Sequence, residues 1–175
     1  MNEEAVKLGS KQLQQGLTYD QVVYLFVEQT SGVVKDTVQI FKHEFDAVEQ
    51  SKLPKMEDEL HYFLLFALDY WWQMSSYTQK QKRILDEVFG YHLGEWCGND
   101  ADGQAMWDTL QERFIAYGGI VNKKTDDSVK LFDFGRKLSD YCGLPSALFL
   151  VTAPSLFKTA LDTVSVLKAD KRGLQ

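Results

Sequence analysis

EDELHYFLLFALDYWWQMSSY, residues 57–77, decides the fold. Ten of the eleven residues from Tyr62 to Trp72 are apolar or aromatic, and Asp69 is the exception. A helix at a protein surface carries one apolar stripe, whereas a helix apolar nearly all round is buried. The stretch therefore predicts the central helix, over about 55–77, of an all-α single domain. Pro54 suits its first turn, where a missing N–H costs nothing. Glu57, Asp58 and Glu59 complement the positive end of its dipole.

Asp58, His61, Asp69, Gln73 and Ser76 fall on one narrow stripe of this helix at 3.6 residues per turn. Such a stripe is either an edge open to water or a polar seam lining a ligand site.

Outward from this helix, apolar residues recur at helical spacing in every segment, and the alternation of half-buried strands is absent over any long stretch. Residues 1–16 read as a weak opening helix. Thr18 and Gln21 then form a capping box for a helix expected to break near Ser31-Gly32. Val34, Val38, Phe41, Phe45 and Val48 mark the next amphipathic helix, with His43 on its wet side. Thr78 and Gln81 form a second capping box, and Ile84, Leu85, Val88, Phe89, His92 and Trp96 line the helix that follows. The segment 99–103, NDADG, lacks two ligand positions of a calcium loop, so it reads as a turn whose Asn99, Asp100 or Asp102 caps a helix. Gly118-Gly119 is expected to stop that helix. Thr125 or Asp126 caps the next, and Pro154 is expected to kink or split the last. Three ends, Trp96-Cys97-Gly98, Tyr117-Gly118-Gly119 and Tyr141-Cys142-Gly143, suggest Schellman-type caps. The sum is a bundle of seven or eight helices with a loose tail at 171–175.

The chain has 175 residues, long enough to bury a core without disulfides or metal. Its net charge is −6, and a nucleic-acid binder usually shows a basic face, so no nucleic-acid partner is expected. The start carries no cationic segment leading into an apolar run. The longest apolar run, Tyr62 to Leu68, is far short of the roughly 20 residues that span a bilayer. These features place the protein in the cytoplasm, with no membrane partner and with Cys97 and Cys142 as thiols.

No phosphate loop, nucleophile elbow, dinucleotide fingerprint or zinc-protease motif occurs. His61 follows Asp58 by three residues and His92 precedes Glu95 by three, yet the doubled Glu-x-x-His of di-iron bundles is missing. No cofactor and no metal site is expected. The leading expectation is a protein–protein interaction or regulatory module without catalytic activity. One alternative is a bundle that binds a small apolar ligand in an aromatic-lined pocket. Another is a metalloenzyme built on His61 or His92 and nearby carboxylates. Asp58, His61, Asp69, Gln73 and His92 are the polar candidates for contact, and Trp71, Trp72 and Trp107 the aromatic ones. The aromatics look too many for one core, which points to a homodimer that covers part of them.

Phe66→Ala should cost about 3–5 kcal/mol, the usual loss for a buried ring. Chemical denaturation checks this, and a variant as stable as wild type would mean that the central helix is not buried there.

Overall fold

The computed structural model describes residues 19–44 and 49–168. Within them six α-helices and one 3₁₀ turn form an all-α bundle with no strand. They are α1 (Tyr19–Glu44), the turn Gln50–Lys52, α2 (Leu53–Gln73), α3 (Gln79–Cys97), α4 (Ala101–Val121), α5 (Asp127–Cys142) and α6 (Ser146–Lys168). The weak helix and the capping box expected before residue 19, the positions Phe45 and Val48, and the tail all lie outside the described residues.

The central helix stands where the sequence puts it. Every residue of α2 from Glu59 to Leu68 is buried. Such a helix needs neighbours on all sides, and α1, α4, α5 and α6 pack directly against it. The fifth, α3, reaches it through large side chains, with Trp72 against Phe89 and His61 against Trp96. Phe63 and Phe66 carry the densest packing. Phe63 meets Tyr117 and Phe134 edge-on at 5.2 and 5.3 Å. Phe66 meets Phe114 edge-on at 5.8 Å. Edge-to-face rings gain about 0.5–1.5 kcal/mol beyond burial alone.

Three expected boundaries are overridden. Among the described residues there are six helices rather than seven or eight: the expected opening helix lies outside them, and the break at Ser31-Gly32 does not occur, so α1 runs unbroken from Tyr19 to Glu44. A glycine inside a helix costs about 1 kcal/mol. The continuous buried stripe Val23, Phe26, Thr30, Val34, Val38 and Phe41 outweighs it. Thr30 donates its hydroxyl to the Phe26 carbonyl at 2.6 Å, so a polar residue crosses the core satisfied. The glycines at 118 and 119 do not stop α4 either, which continues to Val121 with Ile120 buried. Pro154 sits inside α6, which stays one helix with Ala153, Leu156 and Phe157 pressed into the core. The central helix ends at Gln73 rather than near residue 77.

The caps follow local chemistry more closely. Thr78 and Gln81 make both arms of a capping box. In the NDADG turn the cap is Asp100, whose carboxylate accepts the Gly103 N–H at 2.8 Å, while Asp102 lies in the first turn. Of the three expected Schellman ends, the one at Gly143 forms. Gly143 is left-handed at φ 64, and Leu144 N–H donates to the Ser139 carbonyl.

The last helix has the length and composition to cross a membrane, over Ser146–Ser165. Here it lays Phe149, Ala153, Leu156, Ala160 and Val164 on the core, and pairs Lys158 with Asp162 on its outer side. Its closest approach is to α5. A Cβ on Gly135 would stand 2.9 Å from the Phe149 carbonyl oxygen, so the two backbones touch there.

Gly135→Ala should therefore force α5 and α6 apart and lower the melting temperature. Gly32→Ala meets nothing within 4 Å and lies mid-helix, so it should stabilise by about 0.5–1 kcal/mol. Thermal melts of the two variants check both signs.

Candidate functional site

The polar stripe of α2 is divided by the length of the helix into two clusters. At its start, His61 is buried and donates its Nδ1–H to the Glu57 carbonyl at 2.9 Å. Its ring packs on Trp96 of α3, centroid to centroid 5.7 Å. Burial holds the imidazole below its ordinary pKa, against the opposing pull of the Glu57 carbonyl and then of the Glu57 and Asp58 charges. Asp58 is exposed beside it, and burial of one flank pushes its carboxyl up. Tyr62, one residue on, packs edge-on against the same Trp96, and burial pushes its phenol up to about 12.

The other cluster closes the far end. Gln73 donates to Asp86 of α3 at 2.6 Å, and Lys82 donates to the Gln73 carbonyl at the end of α2. Asp69 sits among these groups. Burial, then the charge of Asp86, pushes its carboxyl up to about 6, with the Gln73 hydrogen bond opposing. Ser76 is exposed in the connection beyond. The cluster at Gln73 ties α3 to the end of α2 by hydrogen bonds, and the one at His61 meets α3 through the Trp96 ring.

The most deeply buried charge is one that the stripe omits. Glu59 is 3% exposed and takes a two-pronged grip from Arg113 of α4, Nε at 2.7 Å and Nη2 at 2.8 Å. The Arg113 guanidinium lies 3.6 Å over the Tyr141 ring of α5, so one arginine joins three helices. Its hydrogen bonds to Glu59 hold it more firmly protonated than usual. Tyr117 and Cys142 flank the pair. The Tyr117 hydroxyl has no hydrogen-bond partner, and burial drives its pKa well up. Burial also raises the Cys142 thiol to about 12, which leaves it a packing group rather than a nucleophile.

The sequence reads Glu57, Asp58 and Glu59 as acids at the helix start, but α2 begins at Leu53 and its first turn holds no acid, so Glu59 lies further in. It also stands four residues before Phe63 and seven before Phe66, on the core face, where a carboxylate needs a cation. Nothing along the chain says that the cation is Arg113, 54 residues on.

No family model, curated protein or solved structure matches this chain. The site therefore rests on its own geometry. Among the described residues, no group of three His, Cys, Asp or Glu side chains could hold a metal ion. A crevice between α1, α2 and α6, lined by Phe26, Thr30, Leu64 and Leu68 among others, has a volume of about 20 Å³, room for a water molecule.

The aromatic candidates are drawn inward. Trp72 is buried between Phe26 and Phe89, its indole N–H unpartnered. Trp71 donates to the Phe157 carbonyl at 2.9 Å. Trp96 and Trp107 are half-buried against the core. The tryptophans thus do not form the surplus expected of them. The rings left in the open are elsewhere. Tyr24 of α1 is 52% exposed and Tyr91 of α3 is 63% exposed. Half-buried His92 stands between them, 6.2 Å from Tyr24 and 5.6 Å from Tyr91. The third, Phe132 of α5, is also open to solvent. His92 was visible in the sequence as a histidine on an apolar face. The tyrosines were not, because which side of a helix stays wet depends on its neighbours.

Glu59→Gln should cost about 3–5 kcal/mol, since it removes the buried carboxylate from Arg113 and leaves the arginine only the exposed Glu112. Replacing both, as Glu59→Leu with Arg113→Met, should recover much of that loss. A urea-denaturation cycle over wild type, Glu59→Leu, Arg113→Met and the double variant, with Glu59→Gln alongside, checks both.

Asp69 gives a pH signature. Its carboxyl ionises near 3.8 when unfolded and near 6 when folded, so the folded state holds the proton longer. Stability attributable to it falls as pH rises through that window and stays lower above it. Asp69→Asn removes the loss. Its advantage over wild type in melting temperature should be small at pH 4 and grow to a plateau above pH 6.

Proposed function

We propose that this chain is a non-catalytic interaction module that docks another protein on the face shared by α1 and α3. One observation carries this: Tyr24, His92 and Tyr91 form a contiguous set of rings at the surface, on two helices that the core holds rigid. Tyrosine is a frequent binding anchor, because it offers a large contact and a polar tip for little lost entropy. The charged and nucleophilic groups support the same reading. His61 is bonded to its own helix, Glu59 is taken by Arg113, and Cys142 is a buried thiol held protonated. The crevice at Phe26 by itself is too small for an apolar ligand, which needs several hundred Å³.

A photo-crosslinking residue at position 91 tests the reading, with one at exposed Asp140 on α5 as the control. Expected is a discrete, saturable adduct from position 91 in cells, absent from position 140. Equal labelling at both positions would remove the α1–α3 face as a docking site. Sedimentation equilibrium of the purified chain then tells whether the captured partner is a second copy, as a homodimer requires, or a different protein.

A further inference from the structure

We propose that the α1–α3 face takes an arginine-bearing basic segment of its partner, a guanidinium stacking on Tyr91 or Tyr24. The proposal rests on the interaction-module reading above and names the chemistry of its partner. The surface around the rings is acidic. Glu87 and Glu95 lie one turn before and one turn after Tyr91 on the same stripe of α3, and both are exposed. Glu28 follows Tyr24 by one turn on α1 and is exposed too. Of the described cations, Arg83 pairs with Glu87 at 3.2 Å in a surface ion pair worth little and readily exchanged, and Lys35 and Lys80 stand further along α1 and α3.

The protein displays the same chemistry complete in its own interior. There Arg113 lies 3.6 Å over the Tyr141 ring while Glu59 grips its guanidinium from the side. The α1–α3 face carries the same residue types, an exposed tyrosine with exposed carboxylates one turn away on its helix, without the arginine. Arginine fits better than lysine, because a planar guanidinium stacks on a ring and still bonds a carboxylate in its own plane. A second copy of the chain fits less well. A twofold contact on this face would set Glu87 and Glu95 against their own duplicates.

Fluorescence anisotropy of the full chain with labelled dodecapeptides tests this, using Arg-Gly, Lys-Gly and Glu-Gly repeats as probes. The Arg-Gly peptide should bind saturably, several-fold tighter than Lys-Gly, and Glu-Gly should not bind. Tyr91→Leu should weaken Arg-Gly binding about three- to tenfold, and Tyr24→Leu should weaken it in the same direction. Glu87→Gln with Glu95→Gln should weaken it and flatten its salt dependence, while Asp140→Asn should change nothing. Melting temperatures near wild type confirm that the variants fold. Equal binding of the Arg and Lys peptides, untouched by Tyr91→Leu, would reduce the effect to attraction by the net charge of −6 and overturn the proposal. So would no binding at all. A saturable crosslink at position 91 to an acidic or uncharged protein, or to a second copy, would overturn the arginine partner while leaving the docking face standing.

Discussion

Burial of α2 on every side is the constraint on which the rest of the structure depends. Ten consecutive buried residues, Glu59 to Leu68, cannot be covered by one neighbour, because successive side chains point a hundred degrees apart. Five helices therefore surround it. The large rings set their distances: Phe63 and Phe66 space α4 and α5, while Trp72 and His61 reach out to α3. Where small residues allow it, backbones close instead, as at Gly135 against Phe149.

Within this apolar centre one charge pair is embedded. A buried ion pair is seldom more stable than packed hydrocarbon, because both charges must leave water. Its geometry does give direction. Arg113 meets Glu59 with two parallel N–H groups and Tyr141 with its flat face, so α2, α4 and α5 fit in one register only. A shift of α4 by one residue would strand both charges. The unpartnered Tyr117 hydroxyl beside the pair shows how tightly ring packing governs that region, since the ring is placed by Phe63, Phe66 and Phe134 rather than by its own polar atom.

The polar groups of α2 divide the helix into ends and middle. The ends carry His61 and Asp58, then Asp69 and Gln73, and these meet Trp96, Asp86 and Lys82 of α3. The helix α3 also packs directly on α1 and α4 and buries Leu85, Phe89 and Leu93, while Tyr24 and Tyr91 stay exposed on either side of half-buried His92. The proposed docking face is the side of α1 and α3 that the core leaves uncovered.

The sequence alone determined whatever depends on neighbours along the chain. The all-α class, the central helix and the Thr78–Gln81 capping box are all set by residues within a few turns of one another, and each is present. Its errors were local preferences outweighed by burial. Gly32, Gly118, Gly119 and Pro154 each weaken a helix by an amount that a continuous buried stripe exceeds, so α1, α4 and α6 run through them. Of the five-residue polar stripe, Ser76 lies beyond the end of α2 at Gln73, and the other four fall into two clusters at different heights of the helix. Only tertiary structure could decide that Glu59 answers Arg113, that Trp71 turns inward to Phe157, and that Tyr24 and Tyr91 remain outside. Such pairings join residues dozens of positions apart, and helical periodicity carries no information about which helix faces which.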